Sequence, residues 1–168
     1  MRTDWANLRM VAGRSALAIT ALQTVTATLG MRDGRRDYAD AAWGPGLATI
    51  SLVSAATGSG DARRRWATAA LTTAWATRLE KLMIGRLRGS DSEDPRYADF
   101  IEGDSAAAIV GKVFVTQGLA QLIVSAPVQL AAASAVPRSA RRWLVPLGLG
   151  VAATGAVVEA LADRQKSA

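Results

Sequence analysis

Two stretches without a single charged side chain, residues 41–60 and 113–137, constrain this chain more than any other feature. Each is long enough to cross the hydrocarbon core of a bilayer as a helix, which takes about 20 residues. A soluble amphipathic helix carries a charged or polar outer face at every turn. These runs carry no charge, so a soluble alanine-rich bundle, the natural alternative, fits them less well. Shorter apolar runs at 15–31 and 143–158 extend into tolerable flanks. The expected fold class is all-α: one domain, 1–168, forming a polytopic transmembrane helix bundle. Its five spans are placed at 10–30, 41–56, 65–85, 106–135 and 143–161, with a polar cytoplasmic loop at 86–104.

Composition excludes several function classes. Mean hydropathy is only +0.15, because alanine supplies much of the apolar count and arginine fills the loops. A net charge of +6 would suit nucleic acid. The basic residues, however, sit in short clusters between apolar runs: Arg35-Arg36, Arg63-Arg64-Arg65 and Arg141-Arg142. That is the pattern of membrane-flanking anchors, not of a basic stripe, so the bilayer and not nucleic acid is the expected partner. With no cysteine and no histidine, disulfides and zinc sites are excluded and no metal is expected. Proton transfer would fall to carboxylates, lysine or tyrosine. Asp4, Arg9 and Arg14 interrupt any apolar core near the start, which argues against a cleavable signal peptide.

Several residues stand out along the runs. Gln23 and four threonines in the first span suit packing inside a bundle. Gly44-Pro45-Gly46 predicts a bent helix start beside Asp40 and Trp43, opening a cavity; the plainer alternative is an interfacial tryptophan with an N-terminal proline. Asp104-Ser105 offers an N-cap. Gln117 and Gln121, four apart, share one helix face and suit interhelical hydrogen bonds. Pro127 predicts a kink. Glu159 and Asp163 again lie four apart on one face.

The densest polar stretch runs from Trp75 to Phe100. It contains Arg78, Glu80, Lys81, Arg86 and Arg88, then Gly89-Ser90-Asp91-Ser92, then Glu93-Asp94-Pro95-Arg96-Tyr97. Trp75, Arg78, Leu79, Arg86, Gly89, Glu93, Asp94, Arg96 and Tyr97 together form a pattern that resembles the DUF1295 family, bacterial relatives of steroid 5α-reductases. Further matches are Asp40-Ala41-Ala42-Trp43-Gly44, Val115-Thr116-Gln117-Gly118, and Glu159 with Asp163 and Gln165.

The resemblance implies NADPH-dependent reduction of a double bond conjugated to a carbonyl, in a bundle that holds an apolar substrate. Within it Tyr97 would donate a hydrogen bond to the carbonyl. Glu93 would do so only with a raised pKa, and Arg78 and Arg96 would grip phosphate or carboxylate. Family members carry a further W-R-Y-S-R-H-P-N-Y-x-G-E-like segment associated with the cofactor. This chain stops at Ala168 before it, and shows neither a G-x-G-x-x-G turn nor a Walker loop.

No cofactor is therefore expected to bind this chain alone. It is expected to be the substrate-side half of a reductase, either incomplete or completed by a second membrane chain. The alternative is a non-enzymatic subunit or scaffold of a larger membrane complex. One polar cluster is expected at the mouth, with Arg78 paired to Glu159, Asp163 to Arg96, and Glu93, Tyr97, Asp40, Trp43 and Gln117 nearby. A salt-bridged loop is the alternative for the charged members. Lysines and arginines divide evenly between the two sides, so the shared face of the motifs sets the orientation: N-terminus outside, C-terminus cytoplasmic, in a bacterial inner membrane.

Overall fold

The computed structural model describes residues 2–90, 92–136 and 143–166. Residues 137–142, which include the basic cluster Arg141-Arg142, and Asp91 lie outside the described residues. Within them the fold is all-helical, apart from one isolated antiparallel bridge between Thr3 and Ser134.

Local chemistry explains most boundaries. Helix α1 (Trp5–Asp33) starts where Asp4 accepts a hydrogen bond from the Asn7 N–H at 2.9 Å. It stops at Gly34, whose φ of 68° is the left-handed value that ends helices and suits glycine. A single turn, α2 (Tyr38–Ala41), precedes α3 (Trp43–Thr57). Pro45 is the third residue of α3, where the missing N–H has no intrahelical acceptor to lose. Helix α4 (Ala62–Arg88) is capped by Asp61 through the Arg64 N–H at 2.9 Å. Helix α5 (Pro95–Ile101) pairs an Asp94 cap with proline at its first position. Ser105 caps α6 (Ala106–Ile109), which continues through a π-helical turn (Val110–Val115) into α7 (Thr116–Val124). Then come α8 (Ala126–Ala132) and α9 (Leu144–Lys166).

Helices α3 and α4 form a close pair; α1 crosses α3 and packs on α7, and α9 lies against α4. Alanines at 39, 42, 55, 69 and 76 line the buried faces, so the backbones approach closely. Phe114 is buried with Ala27, Ala39, Ile101 and Val113, and Tyr97 packs against this group. At the opposite end the last carbonyls of α8, which lack helical donors, are taken up by other segments. The Gly60 N–H donates to the Ala132 carbonyl at 2.8 Å, and the Asp4 N–H to that of Ala133 at 2.8 Å. The buried Arg64 guanidinium donates to the Ala131 and Ser134 carbonyls.

Three expectations need correction. The cytoplasmic loop placed at 86–104 is about half helical, since α4 runs on to Arg88 and α5 occupies Pro95–Ile101. The span placed at 41–56 begins with a separate turn and breaks at Ala42. The span placed at 106–135 is interrupted at Ser125. Pro127 has no N–H to offer the carbonyl four residues back, and the kink expected there is found as a break just before it.

Among the described residues, two segments are long and apolar enough to cross a membrane: Ala106–Val124 and Leu144–Asp163. Helix α3, with 15 residues, spans about 22 Å at 1.5 Å per residue, short of a hydrocarbon core of about 30 Å.

Candidate functional site

The site forms where the α2–α3 junction, α5 and the start of α7 meet. Breaking the helix at Ala42 places Asp40 and Trp43 on either side of the junction. The N-cap Asp94 and Pro95 start α5 so that Tyr97 reaches them. The Tyr97 hydroxyl donates to Asp40 Oδ1 at 2.7 Å, and the Gln117 amide donates back to the Tyr97 hydroxyl oxygen at 3.5 Å. Gln117 is itself oriented by the Trp43 indole N–H, which donates to its Oε1 at 2.7 Å. The π turn ends just before Gln117; its extra residue per turn rotates the following helix face, and such turns recur at functional sites.

Burial pushes the Tyr97 phenol well above the ordinary tyrosine value, and the hydrogen bond to Asp40 pushes the same way. The hydroxyl therefore keeps its proton at neutral pH and remains a donor. Arg96 reaches Asp40 at 3.7 Å but engages Asp94 more closely, at 2.6 Å. Its hydrogen bonds hold the Asp94 carboxyl down to about 2.

Beneath this group runs a neutral relay. The Gln121 amide donates to the Ala42 carbonyl at 2.8 Å, and Gln23 donates to Gln121 Oε1 at 3.5 Å. Gln121 is fully buried. It lies flat against Gly46, where an added Cβ would stand 2.4 Å from its Oε1. Only glycine leaves room for that amide, so Gly46 locks α3 to α7 at the level of the site.

The single cluster expected from the sequence is divided. Arg78 joins α9 to α4 by ion pairs with both Glu159 and Asp163, and the Trp75 indole donates to Glu159 Oε2 at 2.6 Å. The expected pairing of Asp163 with Arg96 is not the arrangement found: Asp163 belongs to Arg78, and Arg96 sits between Asp94 and Asp40. Glu93 is not placed as a proton donor either. Its Oε1 accepts the Arg36 N–H at 2.6 Å, and its Oε2 faces the Arg36 guanidinium. Arg35 adds a hydrogen bond to the Ser90 carbonyl at 3.0 Å and an ion pair with Asp37 at 2.8 Å. Glu93 thus ties the loop after α4 to the loop after α1.

The group around Tyr97 holds a neutral, half-buried phenol whose single O–H is donated to Asp40; to reach an entering carbonyl oxygen it must turn that proton away from the carboxylate. The pairings of Gln23 with Gln121 and of Trp75 with Glu159 were not read from the sequence, although Gln23 was placed at a bundle interface. For Gln23 a signal existed, an amide inside an apolar run. For Trp75 none did, because its partner Glu159 lies 84 positions away.

A family model described as a protein of unknown function (DUF1295) matches residues 27–168. No curated protein and no solved structure shows significant similarity to the chain.

Proposed function

The chain belongs to the DUF1295 family, and from that premise we propose that it is the substrate-side portion of a membrane reductase acting on a double bond conjugated to a carbonyl. The observation that carries this is the Tyr97 hydroxyl, held between Asp40 and Gln117 and kept protonated by burial. Hydrogen-bonding a carbonyl oxygen draws charge off the conjugated system and favours addition at its far carbon, once the Tyr97 hydroxyl turns its one proton from Asp40 to the developing oxyanion. Asp40 holds the phenol in place, and Trp43 holds Gln117.

A dinucleotide is not matched by the residues around this site. Arg35, Arg36, Arg78 and Arg96 are each engaged by a carboxylate, which leaves no unpaired guanidinium among these four to take a diphosphate. NADPH is therefore assigned to a second membrane chain or a further segment, and this chain is assigned carbonyl binding and polarisation.

In this reading the protein crosses the membrane five times, through α1, α2 together with α3, α4, the α6–α8 region and α9. The N-terminus lies outside and the C-terminus in the cytoplasm of a bacterium. Exposed Leu17, Leu52, Leu119 and Ile123, on three helices, support lipid contact. Alkaline carbonate washing should leave the chain in the pellet; a monodisperse soluble helical protein would defeat the assignment.

The chemistry has its own test. A lipophilic cyclic enone added to the full chain in nanodiscs should show a red-shifted conjugated absorbance, from hydrogen bonding, that Tyr97→Phe removes. An identical shift in that variant would overturn the role of Tyr97. A second reading, a non-enzymatic subunit or scaffold in a larger complex, draws on α9, whose apolar window has none of its residues buried. Co-purification with a chain carrying the cofactor-associated segment favours the reductase, and co-purification with a complex lacking one favours the scaffold.

A further inference from the structure

The two ends of the helix bundle differ in what their charged side chains do. At the end that holds Tyr97, six cations are matched by carboxylates. Arg32 meets Asp33, Arg35 meets Asp37, Arg36 meets Glu93, Arg78 meets Glu159 and Asp163, Arg96 meets Asp94, and Lys112 meets Asp104. Lys81, Arg86 and Arg88 are exposed there outside these pairs, but so are Asp99 and Glu102.

The opposite end is assembled from the start of α1, the turn between α3 and α4, and the segment after α8. The Asn7 amide donates to the Thr57 carbonyl at 2.9 Å, the Ser59 hydroxyl to Asp4 at 3.1 Å, and the Ala135 N–H to the Arg2 carbonyl at 3.0 Å. Residues 2–9 and 58–66 carry five arginines and only two aspartates, and both aspartates are taken up as helix caps. Arg64 and Arg65 turn inward to backbone carbonyls. Arg2, Arg9 and Arg63 are exposed, and no carboxylate among the described residues pairs with them. Three of the five tryptophans are exposed at this end too. Trp5 begins α1, Trp66 lies near the start of α4, and Trp143 immediately precedes α9, whose other end reaches Arg78. Trp43 and Trp75, by contrast, donate their indole N–H groups within the fold, to Gln117 and Glu159.

We propose that this end is a binding surface for anionic phospholipid, with phosphodiester headgroups held by Arg2, Arg9 and Arg63 and the three indoles set among the lipids around them. The inference rests on the membrane-spanning reading and is independent of the chemistry assigned to Tyr97. A guanidinium presents a fork of donors to phosphate oxygens. An indole at the membrane interface rests its apolar body on lipid and keeps its polar edge at the headgroups. Cations ringed by indoles fit a lipid better than a free anion, which would leave the aromatic surface uncovered. Arg35-Arg36 and Arg63-Arg64-Arg65 look alike as basic clusters in the sequence. The fold separates them, because Asp37 and Glu93 neutralise the first pair while Arg63 keeps its charge for a partner.

The full chain in nanodiscs of equimolar phosphatidylglycerol and phosphatidylcholine provides the test, with the lipids that stay bound on release identified by native mass spectrometry. Phosphatidylglycerol should be retained roughly tenfold over phosphatidylcholine, a scale that a few basic side chains at the surface can supply. Replacing Arg2, Arg9 and Arg63 together by Gln should bring the two lipids to parity, whereas replacing the same three by Lys should keep the preference. Lys81→Gln, Arg86→Gln and Arg88→Gln combined remove as much charge from the other end and should also keep it. Parity in the wild type, a preference that survives the first triple variant, or equal loss in the control triple would each overturn the proposal. So would displacement of the lipid by inorganic phosphate, which would mark a free-anion site. A chain that enters no nanodisc would overturn the membrane-spanning reading as well, whereas one that enters and retains both lipids equally would overturn this proposal alone.

Discussion

Two attachments in this molecule solve the same problem by different means. Helix α9 is held to α4 by charge: Arg78 with Glu159 and Asp163, and the Trp75 indole with Glu159. Its apolar window is wholly unburied. Helix α7 is held to α1 and α3 by neutral amides in a packed interior, Gln23 to Gln121 to the Ala42 carbonyl, seated on Gly46. The first joint tolerates small displacements because ion pairs act over several ångströms. The second does not, because close packing leaves an amide no room to move. An adjustable helix beside a rigid seat is a sensible division for a chain whose site lies in the rigid part.

The largest expected effect breaks the rigid joint. Gly46→Ala places a methyl group 2.4 Å from Gln121 Oε1 and should cost about 3 kcal/mol through overpacking and a displaced buried amide. Gly148→Ala, in α9 with nothing within 4 Å of the added carbon, should be neutral or stabilising by up to about 1 kcal/mol from helix propensity. Thermal unfolding of the two variants compares the joints directly; similar shifts would mean that Gly46 does not carry the seat.

Next comes the charged joint. Arg78→Ala should lower stability by about 2 kcal/mol, between the scale of exposed pairs and that of buried ones, since Arg78 is 22% exposed and Glu159 43%. Arg88→Ala, at an exposed position at the end of α4, should cost under about 0.5 kcal/mol. High salt should shrink the Arg78 effect and leave the Gly46 effect unchanged, because screening acts on exposed charges and not on buried amides. Thermal shifts at two ionic strengths provide the measurement.

A smaller effect is expected at Tyr97. Removing its hydroxyl in Tyr97→Phe should cost about 1 kcal/mol, the usual scale for one hydrogen bond. The raised phenol has a signed consequence. Its folded pKa lies above the unfolded value of about 10. The stability it contributes is therefore fully present below pH about 10 and is lost as pH rises through the folded value. Alkaline difference spectra of wild type against Tyr97→Phe should place its ionisation above the ordinary range. Asp40→Asn should bring it down only part of the way, because burial is the larger cause.

Much of the helical layout was legible because its causes are local. Ser105 was read as a cap and caps α6, whereas Asp4, Asp61, Gly34 and Asp94-Pro95 act just as locally but went unread, so α5 fell within an expected loop. The charge-free runs marked where helices would bury or meet lipid, and Gln117 with Gln121 marked a polar face. The family was legible too, from motifs spread along the chain. Partner choice was legible only in part: Arg78 with Glu159 was expected and is found, the other pairings were not. Arg78 had carboxylates available from Glu93 to Asp163, and spacing along the chain does not rank partners some 80 residues away. Tertiary packing decided that Arg96 stays beside Asp94, that Glu93 serves Arg36, and that Trp75 finds Glu159. It also decided, through a π turn and a break at Ala42, that Tyr97, Asp40, Gln117 and Trp43 meet. The physical reason is that caps and breaks are set by a few adjacent bonds, whereas a long side chain's partner depends on how whole helices rotate and slide as their buried faces close.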